Sequence, residues 1–177
     1  MSTYTGSSPL LAPHPLRVNQ RVDHEEGGVA IQDSSQGNRG HMWTCTFDAS
    51  AVYLQRSGQA PVQLFLKNGI NEIAFAFDQL MRPSVLYQLT SGDIELRWYD
   101  SLVTAYVTTN LGPAVQVQMT LDDKRPSQVG NSDIIVAYRR GNSVYYRVQR
   151  DRYANEYLAT FGLTSSMKFR NLAMGKN

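Results

Sequence analysis

The chain has 177 residues, of which 42% are hydrophobic and 18% charged, and its formal net charge is +2. This length and apolar fraction predict one domain with a core of its own and an appendage. The single cysteine, Cys45, excludes an intramolecular disulfide and a cysteine-based zinc site, so we expect it to be a small, buried apolar side chain. The sequence has no apolar run of about 18 residues and no signal-peptide pattern, which predicts no membrane-spanning segment and folding in a cytosol.

Residues 1–41 differ from the rest of the chain because serine, threonine, proline and glycine interrupt every apolar run. Such a segment buries too little apolar surface to offset the entropy lost on ordering. Two interpretations stay open: a flexible terminus, or an extended arm that becomes ordered against a neighbouring subunit. The arm would be anchored by its apolar residues Leu10, Leu11, Leu16 and Val18. All three histidines lie in this segment, whose glycine content argues against a preformed metal site.

From residue 42 to residue 177 the pattern favours β-strands. Ile73, Phe75 and Phe77 alternate with smaller or polar residues, and so do Ile94, Leu96 and Trp98 further on, which is the period of a strand. Strands are also predicted over 105–109, with a stop at 111–113, and over 115–121. The segment 157–161 favours a last strand over a short helix, and 167–177 an edge strand with a frayed end.

Between Asn71 and Asp151 one hairpin unit is written twice. The first copy consists of Phe77-Asp78, Arg82-Pro83, a Ser91-Gly92 turn and the strand from Ile94 to Asp100. The second consists of Leu121-Asp122, Arg125-Pro126, a Gly141-Asn142 turn and the strand from Val144 to Asp151. A degenerate third copy is expected from Met42 to Leu66, after which Asn68-Gly69 is a hairpin signal. A repeated supersecondary unit is a stronger signal than any single motif in this sequence.

About ten short strands with turn signals every 8–12 residues predict an all-β fold. We expect an antiparallel sandwich, or partial propeller-like blades built from repeated hairpins, with the extended N-terminal arm at 1–41. A closed propeller needs at least four blades, and this chain has material for two or three. The chain must therefore leave sheet edges open, pack as a sandwich, or complete itself with other subunits. Open edges are hazardous for a monomer, so we predict a homo-oligomer.

Charge is distributed unevenly along the chain. Residues 1–119 carry seven Lys/Arg against ten Asp/Glu, whereas residues 120–177 carry ten against five. The basic candidates cluster in the second repeat: Arg139, Arg140, Arg147, Arg150 and Arg152. Arginine makes forked contacts to carboxylate or phosphate. The cluster is therefore a solvated hairpin face, a surface that meets an acidic neighbouring subunit, or the lining of a channel with sequence-independent contacts to passing DNA.

The β-rich part also resembles a family of tailed-bacteriophage virion proteins, over about residues 42–160. The resemblance rests on the runs Ile73-Ala74-Phe75-Ala76-Phe77-Asp78, Gly92-Asp93-Ile94-Glu95-Leu96-Arg97-Trp98-Tyr99-Asp100, Leu121-Asp122-Asp123-Lys124-Arg125-Pro126, Ser132-Asp133-Ile134-Ile135-Val136-Ala137-Tyr138 and Tyr145-Tyr146-Arg147-Val148-Gln149-Arg150-Asp151-Arg152-Tyr153. It implies a structural, non-enzymatic subunit of the tail or neck, a ring, tube or adaptor. Such a subunit would be made in the host cytoplasm, sit in the virion in many copies, and bind copies of itself and other virion proteins. The resemblance carries no site residues.

Two other classes of function remain as alternatives. A glycan-binding module would use exposed aromatic side chains, for which Tyr99 and Tyr145 are the candidates. An enzyme would need a convergent catalytic set. Asp78, Asp122 and Asp123 could supply carboxylates, but aspartate beside Arg-Pro is more simply a turn former. We therefore predict no catalytic, metal or cofactor-binding residues.

Overall fold

The computed structural model describes residues 17–21, 28–33, 39–78, 82–121 and 133–167. Across these residues the chain forms thirteen strands, one 3₁₀ turn at Gln149–Asp151, and no helix long and apolar enough to span a membrane. The predicted all-β fold is confirmed. The strands form three antiparallel sheets, and in each sheet the spatial order of the strands is their order along the chain.

The first sheet contains five strands and the other two contain four each. The strands of the first sheet are β1 (Arg17–Arg21), β2 (Gly28–Asp33), β3 (Arg39–Phe47), β4 (Ala51–Arg56) and β5 (Val62–Leu66). Those of the second are β6 (Ile70–Phe77), β7 (Pro83–Leu89), β8 (Asp93–Asp100) and β9 (Ala105–Pro113). Those of the third are β10 (Val115–Leu121), β11 (Ile134–Arg140), β12 (Ser143–Val148) and β13 (Tyr157–Thr160).

The three sheets stack face to face, with the second in the middle. Its strand β6 places Ile73, Phe75 and Phe77 against the first sheet and Ala74 and Ala76 against the third. All five of these side chains are at most 2% exposed. The isoleucine and the two phenylalanines fill the interface with the first sheet. The two alanines are small enough for strand β10 of the third sheet to pack closely on the opposite face. Strand β6 is therefore the element on which both cores are built.

Each interface between sheets is closed by aromatic pairs. The rings of Trp43 and Phe77 meet edge to face at 5.2 Å between the first and second sheets. Between the second and third sheets the Trp98 and Tyr153 rings do the same at 5.1 Å. The Trp98 indole N–H donates to Oγ1 of Thr109 at 3.0 Å, so its buried polar group is satisfied. Cys45 is fully buried in the first interface, as its sequence context predicts.

The hairpin repeats form in both copies, and their turns contain the expected glycines. Gly92 and Gly141 adopt φ of 95° and 58° between β7 and β8 and between β11 and β12. In the first copy the Asp78 carboxylate accepts hydrogen bonds from the Arg82 amide and from Arg82 Nε, at 2.9 and 2.6 Å. Asp78 is thus the turn former that its position before Arg-Pro predicts. The corresponding Asp122, Asp123 and Arg125 lie outside the described residues.

Several predicted boundaries were wrong. The sheet does not begin at Met42, because β3 starts at Arg39 and pairs with β2, which pairs with β1. Asn68-Gly69 is not a hairpin turn: Gly69 has φ of 71°, but the turn leads from the first sheet to the second, since β5 pairs with β4 and β6 with β7. Strand β9 runs through Leu111 to Pro113, because a bulge opposite Ile94 and a positive φ at Gly112 let pairing continue.

Strand β10 departs from simple alternation at its start. Its pairing with β11 shifts between Val115 and Gln118, and Gln116 between them has φ of 58°. Val115 is 44% exposed, whereas Gln118 is 2% exposed. Val117 and Met119 face the core as predicted. Strand β13 confirms the preference for a final strand, while the predicted edge strand at 167–177 falls outside the described residues after Met167.

Candidate assembly surfaces

The basic cluster of the second repeat lies on and around the β11–β12 hairpin, but its members face different ways. Arg139 was expected on a surface, and the structure shows it 6% exposed. Its guanidinium donates hydrogen bonds to the carbonyl oxygens of Gly141 and Thr164, at 2.7 and 2.9 Å, and to that of Met167. Arg139 therefore fixes the segment after β13 to the hairpin, and it is not available to an external partner.

Arg140 and Arg147 meet at one carboxylate. Glu156 accepts from Arg140 Nη1 at 2.8 Å and from the Tyr138 hydroxyl at 2.6 Å, and Arg147 Nη2 lies 3.9 Å from it. Arg147 Nε also donates to the Tyr138 hydroxyl at 2.7 Å. Burial and the hydrogen bond to Glu156 raise the pKa of Tyr138 to about 12. These contacts connect β11, β12 and the residue before β13 within the third sheet.

Arg150 and Arg152 are the exposed members, with side chains 60% and 53% exposed. Arg150 Nε lies 3.0 Å from the Asp133 carboxylate. Arg152 donates to Asp100, the last residue of β8 in the second sheet. All five arginines thus have acceptors within this chain, and the basic surface predicted from the sequence is reduced to these two ion-paired side chains.

The two candidate aromatics are both half-buried. Tyr145 packs against the core between the second and third sheets. Tyr99 meets the Tyr106 ring edge to face at 5.4 Å, and the Arg82 guanidinium covers its ring at 4.0 Å. Both rings thus make contacts within this chain.

Of the predicted arm anchors, Leu10, Leu11 and Leu16 lie outside the described residues. Val18 lies in β1, where its backbone pairs with Ile31 of β2. Residues 17–21 and 28–33, which the sequence assigns to an arm, are thus strands of the first sheet. In the described part of the chain, no three His, Cys, Asp or Glu side chains are grouped as metal ligands would be.

The most exposed apolar side chains lie on the outer strands and their turns. At the edge of the third sheet, Tyr157, Leu158 and Phe161 are 40%, 54% and 77% exposed. At the edge of the first sheet, Val62 and Leu66 of β5 are 64% and 72% exposed. We call these two groups the β13 edge and the β5 edge. The sequence predicted both strands, but it gave no signal that they would be outermost.

A third exposed group lies on the turn between β8 and β9. Leu102 and Val103 are 74% and 52% exposed. This turn is not the outer strand of a sheet, so it presents no row of unpaired strand backbone groups.

Comparison with protein-family models, with curated proteins and with solved structures finds no match to this chain.

Proposed function

We propose that this protein is a non-enzymatic structural subunit of a bacteriophage virion, in the tail or neck, which assembles in many copies through its sheet edges. The observation that carries the proposal is the β13 edge. Strand β13 is the outer strand of the third sheet, all four of its residues are exposed, and none is charged or proline. Together with the resemblance over residues 42–160, this edge suits a protein whose partner is another copy of itself.

Natural monomers protect an outer strand with lysine, proline or a covering segment, since its unpaired backbone groups recruit other strands. Within the described residues, β13 contains no lysine or proline and is followed by the exposed Phe161; its four-residue length and the register shift in its pairing with β12 are the protections it has. The β5 edge lies on the opposite flank of the stack, because the first and third sheets pack on opposite faces of the second. We therefore propose that the β13 edge of one copy meets the β5 edge of the next.

Contact between two different surfaces of the same chain is heterologous, and such contacts close into rings or continue as tubes. Both forms are the expected shapes of a tail or neck component. A contact of β13 with β13 would instead be isologous and stop at a dimer. The geometry of the two edges thus makes a specific prediction about stoichiometry.

The test is the mass of the purified full chain in solution, by sedimentation and by electron microscopy. Wild type should form rings or open multimers. Leu158→Glu and Leu66→Glu should each block one edge, so each variant alone should be a monomer. A mixture of the two should form dimers, because each variant retains one intact edge. Leu102→Glu, an equally exposed change outside both edges, is the matched control and should assemble like wild type.

Other outcomes would contradict the proposal. A monomeric wild type at all concentrations would overturn assembly through the edges. Dimers of Leu66→Glu alone would show isologous pairing at β13. The virion assignment is tested separately by gold-labelled antibody on the phage particle: label confined to the tail or neck supports it, and absence of the chain from purified particles overturns it.

A further inference from the structure

A small pocket lies between the first and second sheets, far from the β13 edge but beside the β5 edge, since two residues of β5 line it. Its volume is about 90 Å³, and its lining consists of Leu64, Phe65, Pro83, Val85, Arg97 and Tyr106. Five of these six side chains are apolar or aromatic. The pocket is smaller than the cavity of about 150 Å³ that admits benzene, so it has room for a short, compact apolar group.

The one charged lining group is held in place by rings. The Arg97 guanidinium carbon lies 4.9 Å from the centre of the Phe65 ring and 5.7 Å from that of Tyr106. Both distances are within the range of a cation–π contact. No acceptor among the described residues receives a hydrogen bond from Arg97. This sets it apart from Arg82, Arg139, Arg140, Arg147, Arg150 and Arg152, whose guanidinium groups all donate to acceptors of this chain.

The nearest acidic side chain on the same face of β8 is already engaged. Glu95 lies two residues before Arg97, and its carboxylate binds Lys67 Nζ at 2.6 Å and accepts from the Tyr87 hydroxyl at 2.9 Å. Asp78 is likewise engaged by Arg82 at 2.6 Å. The positive charge at Arg97 therefore stays available at a half-buried site with an apolar lining.

We propose that this pocket binds a carboxylate carried on a short branched apolar group. A guanidinium presents paired N–H donors whose spacing matches the two oxygens of a carboxylate. The two rings fix the guanidinium plane in advance, so little side-chain entropy is lost when the ligand binds. Leu64, Pro83 and Val85 would contact the apolar stem. A free small acid and the carboxyl-terminal residue of a peptide both offer this chemistry.

The test uses ligand-observed saturation-transfer NMR on the full chain, which works for weak ligands and for large assemblies. Isovalerate should bind saturably, whereas isovaleramide, its neutral counterpart of the same shape, should bind at least tenfold more weakly. N-acetylleucine mimics a carboxyl-terminal leucine. Tighter binding of N-acetylleucine than of isovalerate would identify a peptide terminus as the source, and the reverse order a free acid.

Substitutions locate the site. Arg97→Gln should weaken isovalerate binding at least tenfold, and Arg97→Lys should weaken it less, because lysine keeps the charge but loses the planar pair of donors. Tyr106→Leu should weaken it several-fold by removing one ring. Arg150→Gln removes an exposed arginine elsewhere and should bind isovalerate like wild type.

Three results would overturn the proposal: equal binding of isovalerate and its amide, inorganic phosphate binding as tightly as isovalerate, or unchanged affinity in a folded Arg97→Gln variant. If Arg97→Gln does not fold, two other results decide whether the proposal holds: the comparison of isovalerate with isovaleramide on wild type, and the affinity of Tyr106→Leu for isovalerate. Because the pocket borders the β5 edge, the same measurements are repeated on Leu158→Glu, a variant expected to be monomeric with its β5 edge intact. Loss of assembly without loss of isovalerate binding in that variant separates this proposal from the virion proposal.

Discussion

The Asp100 carboxylate accepts a hydrogen bond from the Arg152 guanidinium. Asp100 is the last residue of the first hairpin repeat, and Arg152 directly follows the last residue of the second. Asp100 is 1% exposed and also accepts from the Leu102 amide at 3.0 Å. Burial acts to raise the pKa of Asp100, but the hydrogen bonds from Leu102 and Arg152 outweigh it and hold that pKa below its usual value. The second and third sheets are thus connected at their outer ends by a charged pair as well as by the core.

Removing the Arg152 partner should destabilise the protein. In Arg152→Gln the buried Asp100 carboxylate keeps its cost of burial and loses its cationic partner. Because the pKa of Asp100 in the folded state lies below its unfolded value of about 3.9, the pair stabilises above that pH and its contribution is lost as pH falls further. Urea unfolding at pH 7 should therefore show a lower midpoint for the variant, and the deficit should shrink at pH 3. Arg150→Gln is the control, and an equal effect there would contradict this role.

Arg139 should matter far more to stability than its exposed neighbours do. Arg139→Met keeps much of the side-chain volume but leaves the carbonyl oxygens of Gly141, Thr164 and Met167 without their charged donor. Hydrogen bonds to charged groups contribute about 1.5–3 kcal/mol, so we expect a loss of about 3 kcal/mol in the free energy of unfolding. Arg150→Met, at an exposed ion pair, should cost at most about 1 kcal/mol. Similar losses in the two variants would show that Arg139 does not anchor the 164–167 segment.

The alanines of β6 should tolerate no enlargement. Ala76 is fully buried against the third sheet, so Ala76→Leu would force the second and third sheets apart. Overpacking of this kind typically costs about 1–3 kcal/mol, measurable by thermal or urea unfolding. Ala105→Leu makes the same chemical change at an exposed position of β9 and should stay within about 0.5 kcal/mol of wild type. A neutral Ala76→Leu would mean that the two sheets do not pack through β6.

The Asp48 turn between β3 and β4 should make stability depend on pH. Hydrogen bonds from the Ser50 amide, the Tyr53 hydroxyl and the Ala51 amide lower the pKa of Asp48 to about 2. Since the unfolded value is about 3.9, the stabilisation is complete above about pH 4 and is lost as pH falls toward 2. Asp48→Asn should lower the urea midpoint at pH 7, and the difference from wild type should shrink as pH falls from 4 toward 2. A difference that persists undiminished at pH 2 would exclude the carboxylate as its cause.

Features that depend on residues close together along the chain, such as strand alternation and hairpin turns, were predicted from the sequence. Ile94, Leu96 and Trp98 alternate with polar residues, and a strand turns alternate residues to opposite faces, so their burial followed directly. Gly92 and Gly141 marked hairpins because glycine accepts positive φ at little cost. Asn68-Gly69 gave the same local signal correctly, since Gly69 does have positive φ. It could not show that β6 would pair forward with β7, because that choice depends on packing between sheets.

The candidate site was harder to predict for the same reason. The burial of Arg139 could not be predicted, because two of its hydrogen-bond acceptors, the carbonyl oxygens of Thr164 and Met167, lie 25 and 28 residues further along the chain. The Arg97 pocket unites β5, β7, β8 and β9, and no spacing in the sequence indicates that these strands meet. Gln118 alternates with the core residues Val117 and Met119, as expected, but it is only 2% exposed, and the alternation did not predict that burial.

Every sheet of this protein consists of one uninterrupted stretch of chain, and that has a consequence for how the protein is made. A ribosome releases β1 to β5 before any residue of the second sheet, and the whole second sheet before β10. Each sheet can therefore complete its hydrogen-bonded ladder without waiting for a distant partner, which keeps loop closures short and folding fast. Of the described strands β13 is synthesised last, so the β13 edge becomes available only after the other twelve strands have been made.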